Sequence, residues 1–346
     1  MKILVYCLYV VPLALGLGMS APLEAAEPSS PILAVVNKGD SSLSIINLGN
    51  QKTVWTAKVG YLPHEAATAV KGSRIYVANY GNDHVRSSSL ANNPGNSVTV
   101  VKVTEPRSVK TIDLGPGRCA PHGIMASADG DRVYVTCEAR QEILVIDAIN
   151  ERVSHAIPIN QAGSHMLAIS SDEARAYVAN FWHGTVTVLD LANRKIVDHI
   201  VTADGTEGIG LSPDDRFLYL TSVRTHELLK VDTASLKIVL RRKVGDGVRT
   251  SPIRALVTPD GETVVVNVEG EGTVHTYDPT TLELKRVIRV GRQNIGLVIG
   301  DSTYAYSANM LDDTVSVVNV KTGVEESTIR TGSIPDGMSY IPGGSR

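Results

Sequence analysis

Phenylalanine and tryptophan are nearly missing from this 346-residue chain, two of each, and cysteine occurs three times. Tyrosine occurs 12 times, so the aromatic content points to one tyrosine-bearing pattern used repeatedly. Neither sign of charge is in excess: 33 basic against 36 acidic side chains leave a formal net charge of −3. Nucleic acid and anionic membrane surfaces both need clustered Lys and Arg to displace counterions, so neither is an expected partner. No CxxCH is present, and Cys119-Ala120-Pro121-His122 lacks the second cysteine that thioether attachment needs, which excludes covalent haem. No GxSxG elbow, HExxH helix or P-loop occurs, and the glycine-bearing stretch Val268–Gly272 has no helix after it to cradle a phosphate. Past the N-terminus no convincing amphipathic helix can be drawn.

The long apolar run is Ile3 to Met19, preceded by Lys2 and followed by small and polar residues up to Ala26. A positive start, a short apolar stretch and alanines at its end read as a signal peptide over 1–26. The run is close to the length of a membrane span, so an uncleaved anchor is the competing reading. Cys7 lies inside the run, which argues against a lipid-anchored cysteine. Residues 27–346 are then a periplasmic or secreted domain with no stable membrane span, and Cys119 and Cys137 meet an oxidising compartment.

Self-comparison exposes the organisation. IYVANY (75–80), VYVTCE (133–138), AYVANF (176–181), LYLTSV (218–223), VVVNVE (264–269) and AYSANM (305–310) occupy one position in a recurring unit, with LAVVNK (33–38) as a seventh copy. An alternating run such as SVTVVKV, TVTVLDL or TVSVVNV follows each after a polar loop. Counting back twelve residues from the aromatic position gives His64, His122, His165, Glu207, Ile253 and Asn294, and direct match adds Asp336. The spacings of 58, 43, 42, 46, 41 and 42 are those of a four-stranded propeller blade. Period-two alternation and the abundance of Val, Ile and Thr say strand, and turns such as Ala128-Asp129-Gly130 join the first two strands of each unit. The fold predicted is all-β, a seven-bladed β-propeller of four-stranded antiparallel blades. Because the chain begins with a second strand and ends with a first, its ends should combine into one blade and close the ring.

YVAN, YVTC and YVAN, with Pro-His-Gly-Ile and Ala-Asp-Gly between them, resemble the YVTN-repeat seven-bladed propellers. Those are secreted or periplasmic proteins related in fold to lactonase-type propellers and to the β-chains of quinoprotein amine dehydrogenases. The resemblance covers nearly the whole mature chain and implies that the first strand of each blade is innermost. The seven residues above would then ring the mouth of the central channel. His64, His122, His165, Glu207 and Asp336 come from adjacent blades, a donor set suited to zinc, copper, iron or manganese, and Asp336 is also a candidate general base. Ile253 and Asn294 leave a side through which a substrate would enter. A purely structural role competes with this, since polar residues here can hydrogen-bond the next blade and order channel water.

Four further features face the same end. Cys119 and Cys137 are a candidate disulfide or, alternatively, a thiolate pair beside His122 suited to copper. The long polar loop 80–96 carries His84 and Arg86 as candidate contacts, and Trp182, His183, Arg224 and Arg249 are expected on the same rim, with Arg254 just inside it. The function expected is that of an exported binding or scaffold protein for an unknown protein or small molecule, with a metal-competent centre. The alternative is a metal-dependent hydrolase, lactonase or lyase, and a redox accessory role follows only from the fold relatives.

Overall fold

The computed structural model describes residues 30–81, 94–245 and 250–344. The segment read as a signal peptide, with Cys7, lies outside the described residues, as do His84, Arg86 and Arg249. Seven four-stranded antiparallel sheets succeed one another around an axis. Blade 1 spans residues 63–113, blade 2 121–158, blade 3 164–201, blade 4 206–243, blade 5 252–289 and blade 6 294–330. Blade 7 joins the two ends of the chain: Pro335–Ile341 is its innermost strand, and Ile32–Asn37, Ser42–Asn47 and Lys52–Lys58 complete it. The pairing Ile32↔Ile341, Leu33↔Tyr340 and Ala34↔Ser339 closes the ring and leaves no open inner edge. The only helical turn among the described residues is Glu269–Glu271.

Burial falls from the axis outward. Second strands such as Arg132–Cys137 are buried along almost their whole length, whereas the outer strand Lys237–Lys243 is largely exposed. There is no single core; each apolar cluster lies between two blades. Tyr76, Val98 and Val100 of blade 1 pack on Ile124, Val133 and Val135 of blade 2, and Tyr177 and Val188 of blade 3 on Ile209 and Leu220 of blade 4. One sheet cannot cover both of its own faces, so stacking is what makes each blade stable.

The repeated tyrosine spans this seam. The Tyr76 hydroxyl donates to the Ala148 carbonyl at 2.7 Å, Tyr134 to the Glu173 carboxylate at 3.1 Å and Tyr219 to the Pro279 carbonyl at 2.8 Å, in each case in the following blade. Phenylalanine would fill the same space but leave the far end unbonded, which accounts for the scarcity of Phe.

The asparagine of the motif has an equally local reason. Asn180 is buried and its amide donates to Thr185 Oγ1 at 3.0 Å and Thr187 Oγ1 at 2.8 Å, clamping the second strand to the Thr-Val-Thr-Val strand beside it. Asn37, Asn79 and Asn309 do the same to Ser42 and Ser44, Ser97 and Thr99, and Thr314 and Ser316. Blade 2 lacks the clamp because Cys137 replaces the asparagine and Glu142 and Leu144 replace the hydroxyl residues. There Cys137 is bonded to Cys119, with Cα atoms 4.7 Å apart. Asn180→Ala should cost about 1–3 kcal/mol, because the buried Thr187 hydroxyl and the half-buried Thr185 hydroxyl lose a donor. Denaturant unfolding measures this, and a midpoint unchanged from that of the parent chain would show that the clamp is incidental.

The hairpin turns are pinned from within. Ser127 donates to Asp129 and Asp129 accepts the Asp131 amide, while Gly130 takes the left-handed conformation at φ 75°. The Ser170/Asp172, Ser212/Asp214 and Thr258/Asp260 pairs repeat the arrangement.

Candidate functional site

Each innermost strand begins at the same level of the channel, so residues hundreds of positions apart meet there. His64, His122 and His165 form a tilted stack, with ring centroids 4.0 and 3.7 Å apart and ring planes inclined by 44° and 33°. Asp336 stands beside His64, its Oδ2 3.2 Å from Nδ1, and Glu207 stands at the other end, its Oε1 3.5 Å from His165 Nε2. Five mouth positions therefore form a continuous chain of side chains rather than one five-donor centre. Three-residue groups with donor atoms within 4.8 Å of one another are His64/Glu65/Asp336 and His122/Glu138/His165. Both groups have the composition to hold a metal ion.

The spacing between inner strands is set by the glycine that follows several of these residues. A Cβ on Gly123, Gly208 or Gly337 would lie 2.5, 2.3 or 2.4 Å from the carbonyl oxygen of His165, Ile253 or His64 in the next blade. Thr136 bridges the first of these contacts, accepting from the Gly123 amide at 2.8 Å and donating to the His165 carbonyl at 2.7 Å. The Cys119–Cys137 bond lies alongside, since Cys137 pairs in register with Pro121. No thiolate pair stands beside His122.

The electrostatics differ along the stack. His165 Nδ1 lies 2.9 Å from Glu138 Oε1. Burial alone would depress its pKa, but the bonds and charges of Glu138 and Glu207 outweigh that and raise it to about 9. His122 is pushed well below the ordinary histidine value by burial and by the neighbouring His165 and His64, and its Nδ1 has no hydrogen-bond partner among the described residues. Glu138 is held low against its burial by His165 and by Tyr80, whose hydroxyl donates to Oε2 at 2.8 Å. Asp336 is buried, which opposes ionisation, yet His64, Lys38 and Arg254 keep its pKa low; Lys38 Nζ is 3.4 Å from Oδ2.

A cavity of about 280 Å³ opens over this stack, with His64, His122, Glu138, His165 and Glu207 on its polar side and Tyr80, Phe181 and Trp182 on its aromatic side. Its floor comes from blades 7, 1, 2, 3 and 4. Ile253 and Asn294 are buried, and the Asn294 amide donates to the Thr273 carbonyl at 2.8 Å, so they line no entrance. Arg254 lies inside the rim, as its position suggests, but its side chain is buried and its guanidinium is bonded to Glu65 across the channel, so it offers no exposed contact. Trp182 is exposed at the cavity edge, and the Arg224 guanidinium lies 5.0 Å from the Trp182 and Phe181 ring centres while pairing with Asp204 at 2.9 Å. His183 is turned aside, its Nδ1 accepting from the Ala162 amide at 3.1 Å.

Lys38, Tyr80, Glu138 and Phe181 are not singled out by the sequence reading, yet all four are the last residue of the repeated six-residue motif. That strand runs antiparallel to the innermost one, so its end returns to the mouth. The repeat contained this second circle of positions, visible once strand direction is considered. Glu65 carried no comparable signal.

Residues 51–289 match the sequence profile of a family described as "Lactonase, 7-bladed beta-propeller". Similar solved structures include Kuenenia stuttgartiensis hydrazine synthase, with TM-score 0.73 and 20% identity over 89% of this chain and 99% of that one. A functionally unknown protein from Desulfotomaculum acetoxidans gives 0.72 and 13% over 90% and 99%. The periplasmic gluconolactonase of Pseudomonas aeruginosa gives 0.72 and 14% over 91% and 100%. At these identities the likeness is one of fold. No curated protein matches the sequence at a significant level.

Proposed function

The chain belongs to the lactonase, seven-bladed β-propeller family, and from that premise we propose that the channel-mouth cavity hydrolyses small cyclic esters. The observation that carries the reading is the imidazole stack with a carboxylate at each end, inside a cavity of small-molecule size. Asp336 beside His64 Nδ1 favours the proton on that nitrogen and leaves Nε2 as the basic one. His64 then takes a proton from water as its oxygen attacks the lactone carbonyl, the ring C–O bond breaks, and the proton passes to the departing alkoxide to give the hydroxy acid. The His122, Glu138 and His165 group is where zinc, copper, iron or manganese would be held to polarise that carbonyl. Export, and kinship with the YVTN-repeat propellers, belong to the same reading. The Cys119–Cys137 disulfide supports export, and among the described residues no helix is long and apolar enough to cross a membrane.

Base-consumption assays with unsubstituted and hydroxylated γ- and δ-lactones test it. His64→Ala and Asp336→Asn should each lower kcat by about 10²–10⁴, while His155→Ala, on an outer strand of blade 2, leaves it unchanged. Lactone opening that survives both substitutions, or none in the parent chain, overturns the reading and leaves a binding or scaffold role for the same cavity.

A further inference from the structure

We propose that His122, Glu138 and His165 form a divalent transition-metal site, and that the adjoining group of His64, Glu65 and Asp336 does not take an ion. What the ion does for a substrate rests on the hydrolase reading; where it binds does not.

The two groups offer similar donors but opposite surroundings. In the second, Glu65 is already bonded to the Arg254 guanidinium and Asp336 stands 3.4 Å from the Lys38 ammonium, so two carboxylates face two fixed cations. A dication would gain little there and would be repelled by both. In the first, Glu138 and Glu207 supply two negative charges, and among the described residues neither is paired with a Lys or Arg. To ligate, His165 gives up the proton it shares with these carboxylates, and their two charges then favour a dication at that end of the stack.

Spacing does not separate the two groups, since His165 Nδ1 lies 2.9 Å from Glu138 Oε1 in a hydrogen bond and His64 Nδ1 lies 3.2 Å from Asp336 Oδ2; charge decides between them. His122 is 2% exposed and its Nδ1 is unpartnered among the described residues, an uncompensated burial that a ligand would relieve; His64 Nδ1 and Asp336 Oδ1 also lack hydrogen-bond partners there, but beside the Lys38 and Arg254 charges. The outer partners are those of a metal centre as well. Ligating histidines usually direct their other nitrogen at a carboxylate, and ligating carboxylates are themselves held by hydrogen bonds. Glu207 lies 3.5 Å from His165 Nε2, and the Tyr80 hydroxyl donates to Glu138 Oε2 at 2.8 Å. Glu207 thereby becomes a positioning residue rather than the ligand its sequence position suggests, and Glu138 takes its place. All three donors line the cavity, so a fourth position remains open to water or a carbonyl oxygen. Two imidazoles and a carboxylate suit zinc, manganese or ferrous iron better than a soft cuprous ion.

The test uses the whole mature chain without a histidine tag, stripped with chelator and titrated with zinc by calorimetry, with cobalt absorption as a second readout. One zinc per chain is expected. Glu138→Gln and His122→Ala should each weaken binding at least 100-fold and remove the visible cobalt bands. Tyr80→Phe should weaken it about 10–100-fold, and Asp336→Asn should leave it intact. Thermal melting of each variant separates lost binding from lost folding, and the near-isosteric Glu138→Gln keeps the test decisive if His122→Ala does not fold. No zinc binding in the parent chain, undiminished binding in Glu138→Gln, or loss of binding in folded Asp336→Asn overturns the assignment. A chain that binds zinc but opens no lactone overturns the hydrolase reading alone; one that opens lactones without binding metal overturns the site alone.

Discussion

A chain ending at Ser333 is expected to lose the cooperative unfolding transition of the parent. The strand removed, Pro335–Ile341, is the innermost strand of blade 7 and the one element that joins the two ends of the chain. Its loss strips the ladder from Ile32–Asn37, exposing a row of unpaired amides and carbonyls next to Leu33 and Val35, both fully buried. Met338 and Ile341 leave two separate apolar clusters at once. Burying one such side chain contributes about 1.5–3 kcal/mol, and whole domains are stable by only about 5–15 kcal/mol. The damage also spreads, because blades 6 and 1 each lose the neighbour that covers one face. Soluble yield and a thermal scan read the outcome. A melting temperature within a few degrees of the parent would show that closure is dispensable.

Gly123→Ala is expected to damage fold and site together. The added methyl would sit 2.5 Å from the His165 carbonyl oxygen and 3.0 Å from Met166 Cα, both backbone atoms that no rotamer change can move. The inner strands of blades 2 and 3 must then separate, and the Gly123–Thr136–His165 bridge with them. Overpacking of this kind costs about 1–3 kcal/mol. The separation falls on the 3.7 Å contact between His122 and His165, and misplacement of about 1 Å can cost 10²-fold in rate. Lactone turnover and zinc affinity should both drop by about that factor, with a lowered melting temperature. A variant with parent-like melting and an intact site would show slack between the strands.

Not all of the site was readable in advance, and the reason is distance along the chain. The first circle of mouth positions follows from the period, because each lies at a constant offset from a conspicuous motif. Glu138 and Tyr80 lie at an equally constant offset, but only strand direction reveals that this offset ends at the mouth. Arg254 was legible by place, just inside the rim, but not by partner. Nothing local announces a carboxylate in blade 1 to receive it. The asparagine clamp was half legible: the YVxN pattern was plain, while its partners became evident only when strand pairing placed Thr185 opposite Asn180 and Thr187 two residues further along the same strand.

The sequence by itself determined seven blades, their strand order and the closure of the ring, because alternation, turn residues and period are local properties repeated seven times. The tertiary structure alone decided what the mouth is made of. Two donor groups share one imidazole stack, and they differ because Lys38 and Arg254, from blades 7 and 5, neutralise the carboxylates of one and leave those of the other to His165. Charge compensation between blades acts over a few ångströms in space but joins Arg254 to Glu65 across 189 residues of sequence, so no repeat unit read alone contains it.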